Sequence, residues 1–159
     1  MIERVFTIGA FGKSAEQFFD KLANSGVDTF CDIRQRRGVR GSEYAFVNST
    51  RLQASLASRG VNYCYVPELA PTHRIRELQH RADEAQGTTK RARQELGATF
   101  RAHYIAEILK PFDTRLLQQR LSRARHVVLF CVEGPASACH RSLVADRLHA
   151  DWGVPVEHL

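Results

Sequence analysis

The chain has 159 residues, 43% of them hydrophobic and 25% charged, with a formal net charge of +6. That balance fits a soluble globular protein with a sizeable core. No apolar run approaches the roughly 20 residues of a membrane span. The start, MIERVFTIGAFGKS, has an acid among its first residues and no long apolar stretch leading to a cleavage site. Residues 1–159 are therefore expected to form a single α/β domain, cytoplasmic and unprocessed.

The four cysteines, Cys31, Cys64, Cys131 and Cys139, have no CxxC spacing, and three lie in apolar runs (TFCDI, NYCYV, LFCVE). This is how reduced intracellular thiols that fill a core usually look. Zinc at Cys131, Cys139 and His140 is a minor reading, because seven residues separate the two cysteines and no second pair exists. No metal or cofactor is assigned.

Arg4 to Ile8 reads as a short strand ending at Gly9. The following GAFGKS suggests a phosphate-binding P-loop but fails on spacing, since only Ala10 and Phe11 separate Gly9 from the Gly-Lys pair. Ser14 and Gln17 instead fit a helix capping box. Ala15, Phe18, Phe19, Leu22 and Ala23 then share one face, and Gly26 ends the helix. Asp28 to Ile33 is a second strand, so the opening is a βαβ unit with an implied parallel pair. Asp32 and Arg34 sit at that strand's carboxyl end. The loop beyond carries Arg34, Arg36, Arg37 and Arg40 with two glycines, and reads as mobile, exposed and basic. It is either a solvated loop or an anion contact, the latter because open α/β sheets bind ligands at this rim.

Asn48 or Ser49 caps a helix through Leu52, Leu56 and Ala57, closed by Gly60. Val61 to Val66 is a third strand, followed by Pro67 and Glu68. From Thr72 to Gly97 the pattern becomes polar and is broken at Gly87. This helical excursion outside the core either covers one face or forms a lid over the site. Phe100, Tyr104, Ile105, Ile108 and Leu109 make an amphipathic helix stopped by Pro111, and Asp113 caps another through Leu116, Leu117, Leu121 and Ala124. Val127 to Val132 is a buried strand, Glu133 to Ser137 a loop, and Cys139-His140-Arg141 opens a helix carrying Leu143, Val144 and Leu148. Val154 to Leu159, with Pro155, reads as an edge strand.

The expected architecture is α/β: a three-layer sandwich with a mainly parallel sheet of about five strands. Parallel strands deliver their carboxyl ends to one rim, so Gly9, Asp32, Arg34, Glu68, Glu133 and the Cys139 to Arg141 trio should converge. A helix N-terminus favours anions and lowers a thiol's pKa. Cys139, His140, Glu133 and Asp32 are therefore the candidate catalytic groups, and Arg34, Arg36, Arg141, Gly9 and Glu68 the candidate ligand-binding ones. The anion loop of cysteine phosphatases and rhodanese-like sulfurtransferases does not fit. Five intervening residues after Cys131 or Cys139 lead to Ser137 or Ala145, and neither is an arginine.

The runs TIGAFGKSAEQFFDKLANSGVDTFCDIR, GVNYCYVPEL and LFCVEGPASACHRSLVADRL resemble the uncharacterised family catalogued as domain of unknown function 488. Cys131, Glu133, Cys139, His140 and Arg141 match its closing motif, Asp32 and Arg34 its Asp-x-Arg, and Glu68 its Pro-Glu-Leu element. The sequence departs where Ala70-Pro71 replaces two glycines and where Gln35-Arg36-Arg37-Gly38 replaces serine and proline. The resemblance implies a fold and a site, and no reaction.

Three functional readings follow. The first is an enzyme, or an enzyme-like pocket, for a phosphate-bearing small molecule or nucleic acid, with Cys139 as nucleophile or donor. The second is a non-catalytic nucleic-acid-binding protein, and the third a ligand-sensing or interaction domain. Catalysis predicts a concave pocket containing the trio. Binding alone predicts a basic face with the trio packed inside.

Overall fold

A computed structural model describes all 159 residues. Five strands, β1 (Arg4–Ile8), β2 (Thr29–Asp32), β3 (Asn62–Tyr65), β4 (His126–Phe130) and β5 (Val156–His158), form one sheet in the order β3-β2-β4-β1-β5. Every pairing is parallel. The opening βαβ unit differs from expectation in one respect: β4 inserts between β1 and β2, so those two strands are parallel without touching. The two edges are β3 and the short β5, and the expected edge strand at Pro155 is therefore present.

The helices are α1 (Ala15–Asn24), α2 (Ser49–Ala57), α3 (His73–Ala85), α4 (Ala98–Tyr104), α5 (Thr114–Arg120) and α6 (His140–Trp152). Strand alternation sorts them into two layers. On β4, Val128, Phe130 and the following Val132 face a cluster with Phe18, Phe19 and Leu22 of α1 and Leu52 and Leu56 of α2. Val127, Leu129 and Cys131 face the other cluster, with Ile75 of α3, Phe100 and Tyr104 of α4, and Leu143, Val144 and Leu148 of α6. Both faces of β4 are covered, which explains its unbroken apolar run. The three-layer α/β sandwich is thus as expected.

Local signals behave as their chemistry dictates. Ser14 and Gln17 form the reciprocal capping box of α1, and Asp113 caps α5 through the Arg115 N–H. Asn48 stands at the N-cap of α2, but its side chain accepts from the Val39 N–H at 2.7 Å instead, tying down the arginine loop. After α4 the backbone continues as a π-helical turn over Ile105–Leu109. No helix is long and apolar enough to cross a membrane.

Candidate functional site

The adjacent strands β1 and β4 send their connections to opposite faces, α1 to one and α6 to the other, which marks the usual ligand crevice of an open α/β sheet. Here that crevice is filled. A Cβ on Gly9 would lie 1.9 Å from the Glu133 carbonyl oxygen, so the chain leaving β1 touches the chain leaving β4. Arg141, only 1% exposed, ties the same turn, donating to the Glu133 carbonyl at 2.7 Å and the Gly134 carbonyl at 2.6 Å. Gly9 and Arg141 therefore hold the loop that presents Glu133, and neither lines an open space.

The open space lies on the β2 side, as a cleft of about 490 Å³. Its walls come from the arginine loop, from α3 and the segment after it, and from the chain after β4. Arg34, Arg36, Cys131, Glu133 and His140 line it; Asp32, Glu68, Cys139 and Arg141 do not. Its lining contains six arginines or lysines (Arg34, Arg36, Arg40, Arg76, Lys90, Arg93) against three carboxylates (Glu77, Asp83, Glu133). Ion pairs engage Arg34, Lys90 and Arg93, and leave Arg36, Arg40 and Arg76 unpaired. Burial lowers the Arg76 pKa, and the neighbouring Arg36 guanidinium lowers it further.

Asp32 is fully buried and spent on positioning. Its Oδ1 accepts from Arg34 Nε at 2.9 Å, and its Oδ2 from Arg34 Nη2 at 2.8 Å and the Tyr63 hydroxyl at 2.7 Å. This bidentate clamp fixes the guanidinium plane, which also lies over the Phe130 ring, 4.6 Å from its centroid. Arg34 Nη2 donates again to the Val47 carbonyl, while Nη1 is buried with no partner. A buried cationic donor without an acceptor is costly, and such a group calls for an explanation.

Glu133 is 5% exposed and meets cations from the excursion. Its Oε1 accepts from Arg93 Nη2 at 3.1 Å and lies 3.7 Å from Lys90 Nζ, while its Oε2 accepts from the Cys131 thiol at 2.9 Å. Burial alone would raise its pKa. Lys90, His140, the Cys131 hydrogen bond and Arg93 together outweigh burial and hold it down at about 2. Glu133 is thus a carboxylate rather than a proton donor. Arg93 is the hub, because it also pairs with Asp83 at 3.0 Å and donates to the Ala138 carbonyl at 3.0 Å.

At the cleft floor, Cys131, Cys139 and His140 meet. Cys131 lies just past the end of β4, Cys139 is the N-cap residue of α6, and His140 is the first residue of that helix. One ligand atom from each lies within 4.8 Å of the others. Cys139 Sγ is 3.7 Å from His140 Nδ1, and His140 Nε2 donates to the Ile33 carbonyl at 3.1 Å, leaving Nδ1 to face the thiols. Burial pushes the Cys131 thiol well up, with Cys139 adding to it. Burial pulls the His140 pKa down, but Cys131, Glu133 and the Ile33 carbonyl raise it overall.

Several sequence expectations change. Cys139 is fully buried and outside the cleft wall, whereas Cys131, read as core filler, is the thiol that reaches it. Of the Cys-His-Arg trio only His140 lines the cleft, while Cys139 and Arg141 are packed inside, so the pocket is concave without containing the whole trio. Glu68 is exposed and paired with Arg120 at 3.1 Å, away from the cleft. Arg93, Asp83, Gln79 and Lys90 also line the cleft, and the sequence does not single them out because their segment reads as solvent-facing charge. The one available signal was the turn chemistry of Gly87-Thr88-Thr89, which folds residues 88–96 back onto the cleft.

The chain matches the family described as domain of unknown function DUF488 over residues 14–148. It belongs to that family. No curated protein and no solved structure matches the chain.

Proposed function

We propose that the cleft binds a phosphate-bearing ligand of about nucleotide size, with Arg34 as the fixed contact and Arg36, Arg40 and Arg76 as the adjustable ones. The observation that carries this reading is Arg34 Nη1, a buried, clamped guanidinium nitrogen with no acceptor in a cleft wall. A phosphate oxygen is the acceptor that a planar guanidinium donor suits best. Three supporting facts agree. The unpaired arginines give the cleft a cationic excess, its volume falls within the range of small-molecule sites of roughly 300–1,000 Å³, and Phe11, Val39, Leu96 and Phe100 offer an apolar wall for a base.

The test is calorimetric titration of the full chain with ATP, pyrophosphate and a short single-stranded oligonucleotide at low salt. Arg36→Ala and Arg76→Ala, both changes in half-buried or exposed side chains, should each weaken binding roughly tenfold, about one charge-assisted hydrogen bond. Stronger binding of ATP than of the oligonucleotide is expected. Preference for the oligonucleotide, with a steep salt slope, would instead favour a nucleic-acid-binding face. No binding of any probe at low salt would refute both.

A further inference from the structure

We propose that Cys131, Cys139 and His140 form a three-ligand site for a thiophilic divalent ion, zinc above all, at the floor of the cleft. The inference stands apart from the phosphate reading, since it uses none of the cleft's arginines. Four observations support it, and each comes from a different part of the geometry.

The first is separation. Zinc bonds of about 2.3 Å to sulfur and about 2.0–2.1 Å to nitrogen place tetrahedral ligand atoms roughly 3.5–3.8 Å apart. The Cys139 Sγ to His140 Nδ1 distance of 3.7 Å meets this, and no pair in the set exceeds 4.8 Å. The second is the orientation of the imidazole. His140 Nε2 donates to the Ile33 carbonyl, the arrangement that fixes the tautomer of a metal-bound histidine and turns its other nitrogen to the ion. A T-shaped contact with Tyr104, ring centroids 5.4 Å apart, holds the ring from the side.

The third is charge. Two thiolates neutralise a divalent ion, so filling the site adds no net charge to a buried environment. The positive end of the 13-residue helix α6 lies beside the thiolate of Cys139, its N-cap residue. The fourth is access. Cys131 and His140 form part of the cleft wall while Cys139 lies behind them, so the fourth position opens toward the cleft. Three protein ligands with an open fourth position is the pattern of catalytic rather than structural zinc, which is closed by four. Binding displaces the Cys131 thiol proton that Glu133 Oε2 accepts at 2.9 Å, so filling the site exchanges that hydrogen bond for a metal–sulfur bond.

The other thiol pair, Cys31 and Cys64, offers no such set. Its neighbours are Arg120, which lies 3.7 Å from Cys64 Sγ, and Glu68, which Arg120 already engages.

The experiment uses the full chain, reduced with a non-thiol reductant and stripped of metal, and titrated with Zn²⁺ and separately with Co²⁺. One Zn²⁺ per chain is expected. Co²⁺ should give the intense visible bands of a tetrahedral ion and the near-ultraviolet charge transfer of two thiolates. Cys131→Ser, Cys139→Ser and His140→Gln should each weaken Zn²⁺ by more than the roughly 100-fold that losing a mere supporting partner costs. Cys64→Ser should leave affinity and spectrum unchanged. An octahedral cobalt spectrum, charge transfer from fewer than two thiolates, no zinc uptake, or uptake that survives in a folded Cys131→Ser chain would overturn the proposal. Should a buried-cysteine variant not fold, the thiolate count from the wild-type cobalt spectrum decides alone. Binding of ATP without zinc, or zinc without ATP, separates this proposal from the phosphate reading.

Discussion

Gly9→Ala tests how the cleft is held together, because the substitution adds one methyl group at the point where β1 meets the turn after β4. The new Cβ would lie 1.9 Å from the Glu133 carbonyl oxygen, 2.9 Å from that of Gly134 and 3.0 Å from the Glu133 carbonyl carbon. Cβ atoms essentially never approach another heavy atom closer than 3.0 Å, so the two segments must part by at least about 1.1 Å, the difference between 3.0 and 1.9. Every obstructing atom is backbone, so no rotamer change relieves the clash. Strand β1 is fixed by β4 and β5 on its two sides, leaving the 133–134 turn as the part that moves. That turn is held by Arg141 at 2.7 and 2.6 Å, and a displacement of this size breaks at least one of those bonds. Overpacking of about 1–3 kcal/mol and loss of a charged hydrogen bond of about 1.5–3 kcal/mol both apply, with partial overlap. A destabilisation of about 3 kcal/mol is expected, which for a chain of this length lowers Tm by about 6–12 °C. Urea denaturation followed by circular dichroism measures it. Gly38→Ala is the control, since its nearest neighbour would be 3.9 Å away and its φ is not positive; it should be neutral or slightly stabilising. A Gly9→Ala chain within about 0.5 kcal/mol of wild type, the range of an indifferent surface change, would refute the claim that this contact sets the loop.

Two further outcomes follow from the site and its surroundings. Arg93→Met removes the cation shared by Asp83 and Glu133, and because both carboxylates are then left buried, a loss of about 3–5 kcal/mol is expected from denaturation curves; restoration by Asp83→Asn in the same chain would confirm the cause, and a near-neutral single variant would contradict it. Alkylation should strike Cys64 first rather than Cys139, because Cys64 is half-exposed and its pKa is lowered to about 6, by the hydrogen bond from Cys31 first, against burial, and then by Arg120. Its labelling rate should rise as pH increases through about 6 and level off by pH 8, and since the folded pKa lies below the unfolded one, the thiolate's stabilising contribution is fully present only at high pH and fades as pH falls through 6. Mass spectrometry after limited iodoacetamide treatment reads the order, and initial labelling of Cys131 or Cys139 would contradict it.

The fold was legible because its signals are local. The apolar run at Val127 to Phe130, the capping box at Ser14, the Asp113 cap and the helical spacings between strands each follow from a few neighbouring residues. Strand order is different in kind. Nothing within Arg4 to Asp32 tells that β4 separates β1 from β2, since that neighbour lies some 100 residues onward in the sequence and is chosen by burial of both its faces. The excursion is only half legible for a related reason. Residues 72–97 are mostly polar, although Ile75 and Leu96 pack into the core, and a polar segment reads as solvated unless its partners are known. Arg93 is 9% exposed only because Asp83, Glu133 and the Ala138 carbonyl surround it, and two separate segments, α3 and the β4–α6 connection, supply them.

The arginines show where residue type stops being informative. Arg34 and Arg141 both lie on the carboxyl side of sheet strands and both are almost fully buried, so residue type alone treats them alike as anion ligands. What separates them is the inventory of acceptors around each guanidinium. Arg141 meets two backbone carbonyls, at Glu133 and Gly134, and the Thr7 hydroxyl, which leave it nothing further to recruit. Arg34 meets Asp32 and the Val47 carbonyl on one side and only the Phe130 ring and an unoccupied Nη1 on the other. Substituting either should be damaging, but in different ways. Arg141→Lys should lower stability with ligand affinity changed little in the fraction that folds, whereas Arg34→Lys, keeping the charge and losing the fork, should lower affinity for ATP even in chains that retain their structure. Equal affinity in the two variants would place the anion contact elsewhere, on the exposed Arg36 and Arg40.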